Sequence, residues 1–127
     1  MDKLSFNAHL TTTKNALEAK LELYLFQDGN MYITYCPALD LSAYGKTEEE
    51  AKNEFGTVFG EHIAYCISNN TLANDLKNHG WTIKSKKKLQ SPSTEQMLST
   101  NNVLKDIVFH RNSYQKVERE VQIPAFA

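Results

Sequence analysis

Residues 17–26 read Leu-Glu-Ala-Lys-Leu-Glu-Leu-Tyr-Leu-Phe, and this alternation constrains the fold more than any other feature. Leu17, Ala19, Leu21, Leu23 and Leu25 share one face, and Glu18, Lys20, Glu22, Tyr24 and Phe26 the other. A period of two with one apolar face predicts a half-buried strand, because successive side chains of extended backbone point to opposite sides. Asp28-Gly29-Asn30 reads as a turn, since Gly and Asn accept positive φ. Met31 to Cys36 is then the return strand of a hairpin. Pro37 ends it, because proline has no N–H for the ladder. Leu41–Tyr44 is a short third strand that stops at Gly45.

Thr47 opens the main helix. Thr-x-x-Glu from Thr47 to Glu50 predicts a capping box, and Glu48, Glu49 and Glu50 lie where the helix dipole favours anions. Ala51, Phe55, Val58, Phe59, Ile63, Cys66 and Ile67 recur at helical spacing, and the helix is expected to end near residues 68–70. Thr71 is expected to cap a short helix over 72–79, with Leu72 and Leu76 inward and Gly80 as its stop. Residues 81–88 read as one strand and 91–94 as a linker. Ser93 with Gln96 predicts a second, weaker capping box for a helical turn over 95–98, with a further turn around 103–109. Residues 114–123 read as a strand with Val117, Val121 and Ile123 on one face and Arg119 breaking the series. The order predicts an α+β fold: a small antiparallel β-β-β-α-β sheet with one main helix on it. A domain over 1–90 would carry a C-terminal helix-and-strand extension over 91–127, packed on the domain or on a second subunit.

With 127 residues, such a chain buries enough surface to fold without a disulfide or metal. No apolar run approaches the roughly 20 residues of a membrane span. The N-terminus lacks a basic region followed by an apolar core, so no secretory signal is read. Two cysteines make neither a disulfide framework nor a four-ligand zinc site. A reduced, cytoplasmic protein is the expectation. Charge is uneven: residues 1–63 carry ten acids and five bases, net −5, and residues 64–127 five acids and nine bases, net +4. Such a two-signed surface can steer association.

The segment Tyr35-Cys36-Pro37-Ala38-Leu39-Asp40-Leu41-Ser42-Ala43-Tyr44-Gly45-Lys46-Thr47-Glu48-Glu49-Glu50-Ala51 resembles the signature of HicB-like antitoxins. That signature is a strand, Cys-Pro-x-Leu-Asp, then Gly-x-Thr-x-Glu-Glu-Ala opening a helix. The resemblance spans about residues 17–88, in keeping with a single small domain. It implies a partial RNase H-like fold without ribonuclease activity, one that neutralises a HicA-type mRNA-cleaving toxin by binding and occluding it. Cys36, Pro37, Leu39, Asp40, Gly45, Thr47, Glu49, Glu50 and Ala51 carry the resemblance, and most have structural work in turns and caps. Members of that family commonly bind DNA through a C-terminal helix-turn-helix or ribbon-helix-helix. Residues 91–127 fit neither pattern, so direct DNA binding is not expected. A solitary interaction domain with no toxin, or an RNA-binding protein, are the alternatives.

No catalytic, cofactor or metal residue is assigned. A two-metal nuclease needs converging carboxylates, and Asp40 stands nearly alone between the first strand and the helix cap. His62 and Cys66 are four apart on the main helix. With Cys36 nearby they would make a thiol–imidazole pair or three zinc ligands, but a buried Cys beside an edge-of-stripe His is the commoner arrangement. Lys84, Lys86 and Lys88 share one strand face, either holding an acidic partner or RNA phosphate or guarding an edge strand. Tyr24, Phe26 and Tyr32 form an aromatic patch that binds a partner if exposed, or lies under the C-terminal residues Phe109, Tyr114 and Phe126. Val117, Val121 and Ile123 need burial, which a homodimer paired through the C-terminal strand would provide.

Overall fold

The computed structural model describes residues 16–85, 88–111 and 113–124. The chain is α+β. The strands are β1 (Ala16–Asp28), β2 (Met31–Cys36), β3 (Leu41–Gly45), β4 (Thr82–Ser85), β5 (Lys88–Gln90) and β6 (Gln115–Pro124). The helices are α1 (Glu48–Ser68), α2 (Leu72–Asn78), α3 (Thr94–Thr100) and α4 (Asn102–His110).

All six strands join one sheet built around β1. Tyr24 pairs with both Tyr35 of β2 and Lys116 of β6, and Glu18 with both Lys88 of β5 and Gln122 of β6. A strand has two edges, so β6 takes one along Ala16–Leu25 while β2 and β5 share the other. β1 and β5 run parallel. The sheet is therefore mixed rather than wholly antiparallel: the α1–α2 crossover delivers β4, and β5, which is antiparallel to β4, runs in the same sense as β1.

The strand read over 81–88 is in fact a hairpin. β4 and β5 pair antiparallel at Thr82↔Gln90, Ile83↔Leu89 and Ser85↔Lys88, with an irregular register between Ile83 and Ser85. The C-terminal strand resolves the choice between the domain and a second subunit. β6 returns antiparallel to β1 of its own chain, which buries Val121 and Ile123. Those two side chains contribute about 1.5–3 kcal/mol each when fully buried, so no second subunit is required to cover them. Arg119 lies opposite Leu21 in that register.

Leu25, Thr34 and Ala43 are cross-strand neighbours on one face, and α1 packs there through Ala51, Phe55, Phe59, Ile63 and Cys66. Tyr24, Tyr35 and Phe26 lie on the opposite face, which α3, α4 and the residues after them cover. The helical content of 91–110 thus exceeds two isolated turns. α3 begins with a complete capping box between Ser93 and Gln96, and Asn101 ends α3 and caps α4 through Leu104 N–H at 3.0 Å.

Two cap expectations change in detail. Thr47 Oγ1 accepts from Glu50 N–H at 3.0 Å, but the Glu50 carboxylate accepts from Lys46 N–H at 3.1 Å rather than from Thr47 N–H. Thr71 makes no side-chain cap bond to α2; its hydroxyl donates to the Cys66 carbonyl at 3.4 Å. No described helix is long and apolar enough to cross a membrane, and both cysteines are free thiols.

Candidate functional site

The segment with the family-like pattern folds into one corner of the sheet. β2 ends at Cys36, and the chain turns through residues 37–40 with Asp40 at φ 53°. Asp tolerates this left-handed backbone better than most residues. The Tyr35 hydroxyl donates to Asp40 Oδ1 at 2.7 Å and accepts from Asn101 Nδ2 at 2.9 Å. Asn101 therefore serves two partners, capping α4 with its oxygen and holding Tyr35 with its nitrogen. Burial and the neighbouring carboxylate raise the Tyr35 phenol well above its ordinary range. The Trp81 indole N–H donates to the Ala38 carbonyl at 2.8 Å, so the start of the β4–β5 segment is pinned to the same turn. A Cβ on Gly45 would collide with Ala51 N and lie 2.8 Å from the Glu50 backbone carbon. Glycine is required there because β3 passes directly against the first turn of α1.

The contacts of these residues hold the corner together. Cys36 is fully buried, and desolvation raises its thiol to about 12. A nucleophilic cysteine needs the opposite shift. Pro37 and Leu39 are buried and Asp40 is exposed.

The aromatic patch is corrected. Tyr24 is 2% and Phe26 7% exposed, so neither is available to a partner. Tyr114 stacks obliquely over Tyr24 with ring centroids 5.9 Å apart, and the Arg111 guanidinium lies 4.4 Å above the Phe26 ring. Only Tyr32 remains half-exposed. Phe109, expected among the covering residues, is itself exposed, and Phe126 lies outside the described residues.

The lysines are corrected in part. Lys84 and Lys88 are both exposed but sit on different strands, and Lys86 lies outside the described residues. Lys84 and Lys88 line a groove of about 550 Å³ together with Glu18, Glu22, Glu118 and Glu120. Interleaved carboxylates make this a mixed surface, which disfavours a polyanion.

What the residue pattern left unremarked is a ridge on α1. Glu50, Glu54, Thr57, Glu61 and Tyr65 are all exposed. At about 100° per residue they fall within a narrow stripe, turned away from the buried Phe55 and Phe59. The signal was present as i, i+4, i+7, i+11 spacing. The second omission is Asp75, which joins His62 and Cys66 in the place considered for Cys36.

The chain is thus a small α+β protein with a mixed six-stranded sheet. Comparison with family models finds no match, and comparison with curated proteins and with solved structures finds none either.

Proposed function

We propose that the chain is a non-enzymatic, HicB-like antitoxin with a partial RNase H-like fold, which binds a HicA-type mRNA-cleaving toxin and covers its RNA-binding and catalytic surface. The observation that carries this reading is the acidic ridge of α1. Glu50, Glu54 and Glu61 line one exposed stripe that ends at Tyr65. A ribonuclease that grips RNA must present cations to phosphates, and a rigid row of carboxylates with an aromatic anchor complements such a surface. The corner at residues 35–51, which bears the antitoxin-like pattern, sets where that ridge begins. RNA as a direct ligand is disfavoured by the carboxylates around Lys84 and Lys88. DNA is not assigned, because α4 uses Leu104 and Ile107 to pack inward and carries few cations.

In the same proposal the protein is a homodimer. β6 offers its outer edge, to which no described strand pairs, and a two-fold pairing of such edges is a common closed solution.

The test begins with the adjacent reading frame, which should encode a basic chain of roughly 60–80 residues, short of an ordinary domain. That product should cleave RNA alone and lose activity in a stable complex with this protein. Glu54→Lys with Glu61→Lys should weaken the complex more than tenfold and restore cleavage. A full-strength complex from the double variant would remove the ridge from the interface. The absence of such a frame would leave the solitary interaction domain as the reading.

A further inference from the structure

The corner between α1 and α2 holds a cluster that the antitoxin reading does not use. His62 and Cys66 are one turn apart on α1, and Asp75 comes from α2. His62 Nε2 lies 3.0 Å from Asp75 Oδ2 and 3.7 Å from Cys66 Sγ. One ligand-type atom from each of the three residues lies within 4.8 Å of the other two.

Three explanations compete. The first is a plain His62–Asp75 ion pair with Cys66 as a packed core side chain, which gives no role to the approach of its sulfur to the same ring nitrogen. The second is a nucleophilic Cys–His–Asp relay. A relay needs the thiol on one ring nitrogen and the carboxylate on the other. Here both meet the same atom, Nε2, so no proton can pass through the ring from one to the other. Cys66 is also buried, and desolvation raises its thiol, which opposes activation. The third is a metal centre, in which soft and hard donors converge on one point.

The separations decide among these. Tetrahedral zinc holds thiolate at about 2.3 Å and imidazole or carboxylate at about 2.0–2.2 Å, which puts S···N near 3.6 Å and N···O near 3.4 Å. Two of the observed separations, 3.7 and 3.0 Å, are near these values, and the donor atoms of Cys66 and Asp75 lie within 4.8 Å of each other. The geometry points to a zinc site formed by Cys66 Sγ, His62 Nε2 and Asp75 Oδ2, with solvent at the fourth vertex. The side chains of His62 and Asp75 are 21% and 20% exposed, so the cluster reaches the surface on one side.

His79 supplies the supporting contact. Its Nδ1 lies 2.7 Å from the Asp75 backbone carbonyl and 3.7 Å from Asp75 Oδ2. A carbonyl only accepts, so Nδ1 carries the proton. The imidazole therefore steadies the Asp75 turn and its carboxylate, as outer partners of metal ligands commonly do. The pattern is legible as two i, i+4 pairs, His62/Cys66 and Asp75/His79, on consecutive helices.

Zinc would bind His62 in its neutral form and Cys66 as the thiolate, so one thiol proton leaves per ion. A three-donor set with a single thiolate suits zinc over magnesium or calcium, which prefer all-oxygen shells. The ion would clamp the seven-residue α2 to the end of α1, and binding to the folded chain raises its melting temperature by mass action.

The full chain, reduced and freed of metal, is titrated with zinc and separately with cobalt. One ion per chain is expected, with a thiolate-to-cobalt charge-transfer band, tetrahedral visible bands and a melting temperature that rises with zinc. X-ray absorption on the zinc-loaded wild type should show one sulfur near 2.3 Å and the remaining ligands as nitrogen or oxygen. Cys66→Ser should lose the charge-transfer band, and Cys66→Ser and Asp75→Asn should each bind zinc more than roughly 100-fold more weakly, beyond the loss from a supporting residue. Cys36→Ala should retain the band. No saturable uptake by the wild type, or a zinc shell without sulfur, overturns the assignment. So does an unchanged cobalt spectrum in folded Cys66→Ser. The X-ray absorption arm needs no variant and decides the matter if a substituted chain does not fold.

Discussion

Trp81 donates its indole N–H to the carbonyl of Ala38, forty-three residues earlier, at 2.8 Å and in full burial. This bond joins two stretches that no local pattern links, the turn after β2 and the residue just before β4. Trp81→Phe keeps an aromatic ring but leaves a buried carbonyl without a donor, a loss of about 1–3 kcal/mol, and removes ring volume as well. Chemical denaturation should show a drop of at least about 2 kcal/mol by these combined effects. An unchanged midpoint would mean that the turn is held by other contacts.

Gly45 and Thr47 test the start of α1 in different ways. Gly45→Ala places a methyl against the Ala51 nitrogen and the Glu50 backbone, where backbone rather than a flexible side chain must yield. Overpacking of this kind costs about 1–3 kcal/mol or more. Thr47→Ala removes the bond to Glu50 N–H and should cost about 1 kcal/mol. Glu50→Ala should cost less, since its carboxylate reaches only the Lys46 N–H on an exposed surface. Thermal melts of the three variants should rank in that order.

Tyr35 and Asn101 should behave as one unit. Tyr35→Phe removes a donor to Asp40 and an acceptor for Asn101. Asn101→Ala removes the same contact together with the cap of α4. A double-mutant cycle should give a coupling of about 0.5–3 kcal/mol, the range for residues that share a hydrogen-bond network. Additive losses would show that the Tyr35–Asn101 contact carries no energy.

Alkaline pH should weaken the fold ahead of neutral or mildly acidic conditions. Burial raises Cys36 from its ordinary 9.0 to about 12 and, with the Glu22 carboxylate, raises Tyr24 from 10.0 to about 12. Between the ordinary and folded values the native state holds protons that the unfolded chain has released, so unfolding free energy falls as pH rises. The stabilisation is whole below about pH 9 and is lost as pH climbs toward 12. Denaturation at pH 7, 9, 10 and 11 should show the decline, and Cys36→Ala should flatten it. A pH-independent midpoint over that window would contradict the buried, neutral thiol.

Deletion of residues 92–127 should unfold the chain rather than release a trimmed domain. β6 pairs along ten consecutive positions of β1, and Met97, Leu104 and Ile107 bury apolar surface. Circular dichroism of the shortened chain should lose the cooperative transition. A cooperative melt would show that residues 1–91 suffice.

Local pattern determined much of this molecule. Alternation defined β1 and, with a break at Arg119, β6, the Asp28–Asn30 turn and Pro37 defined β2 as the return strand of the first hairpin, and the Thr47 cap with its apolar stripe defined α1 almost to its last residue, because each depends on neighbours within a few positions. Only the tertiary structure decided which edges of β1 the later strands would take, that Thr82–Ser85 and Lys88–Gln90 would pair antiparallel, and that β5 would lie parallel. It also decided that Tyr24 and Phe26 would be covered and that Asp75 would meet His62 and Cys66. Those outcomes depend on which buried surfaces are shared between distant segments, a free-energy balance that period and propensity do not record.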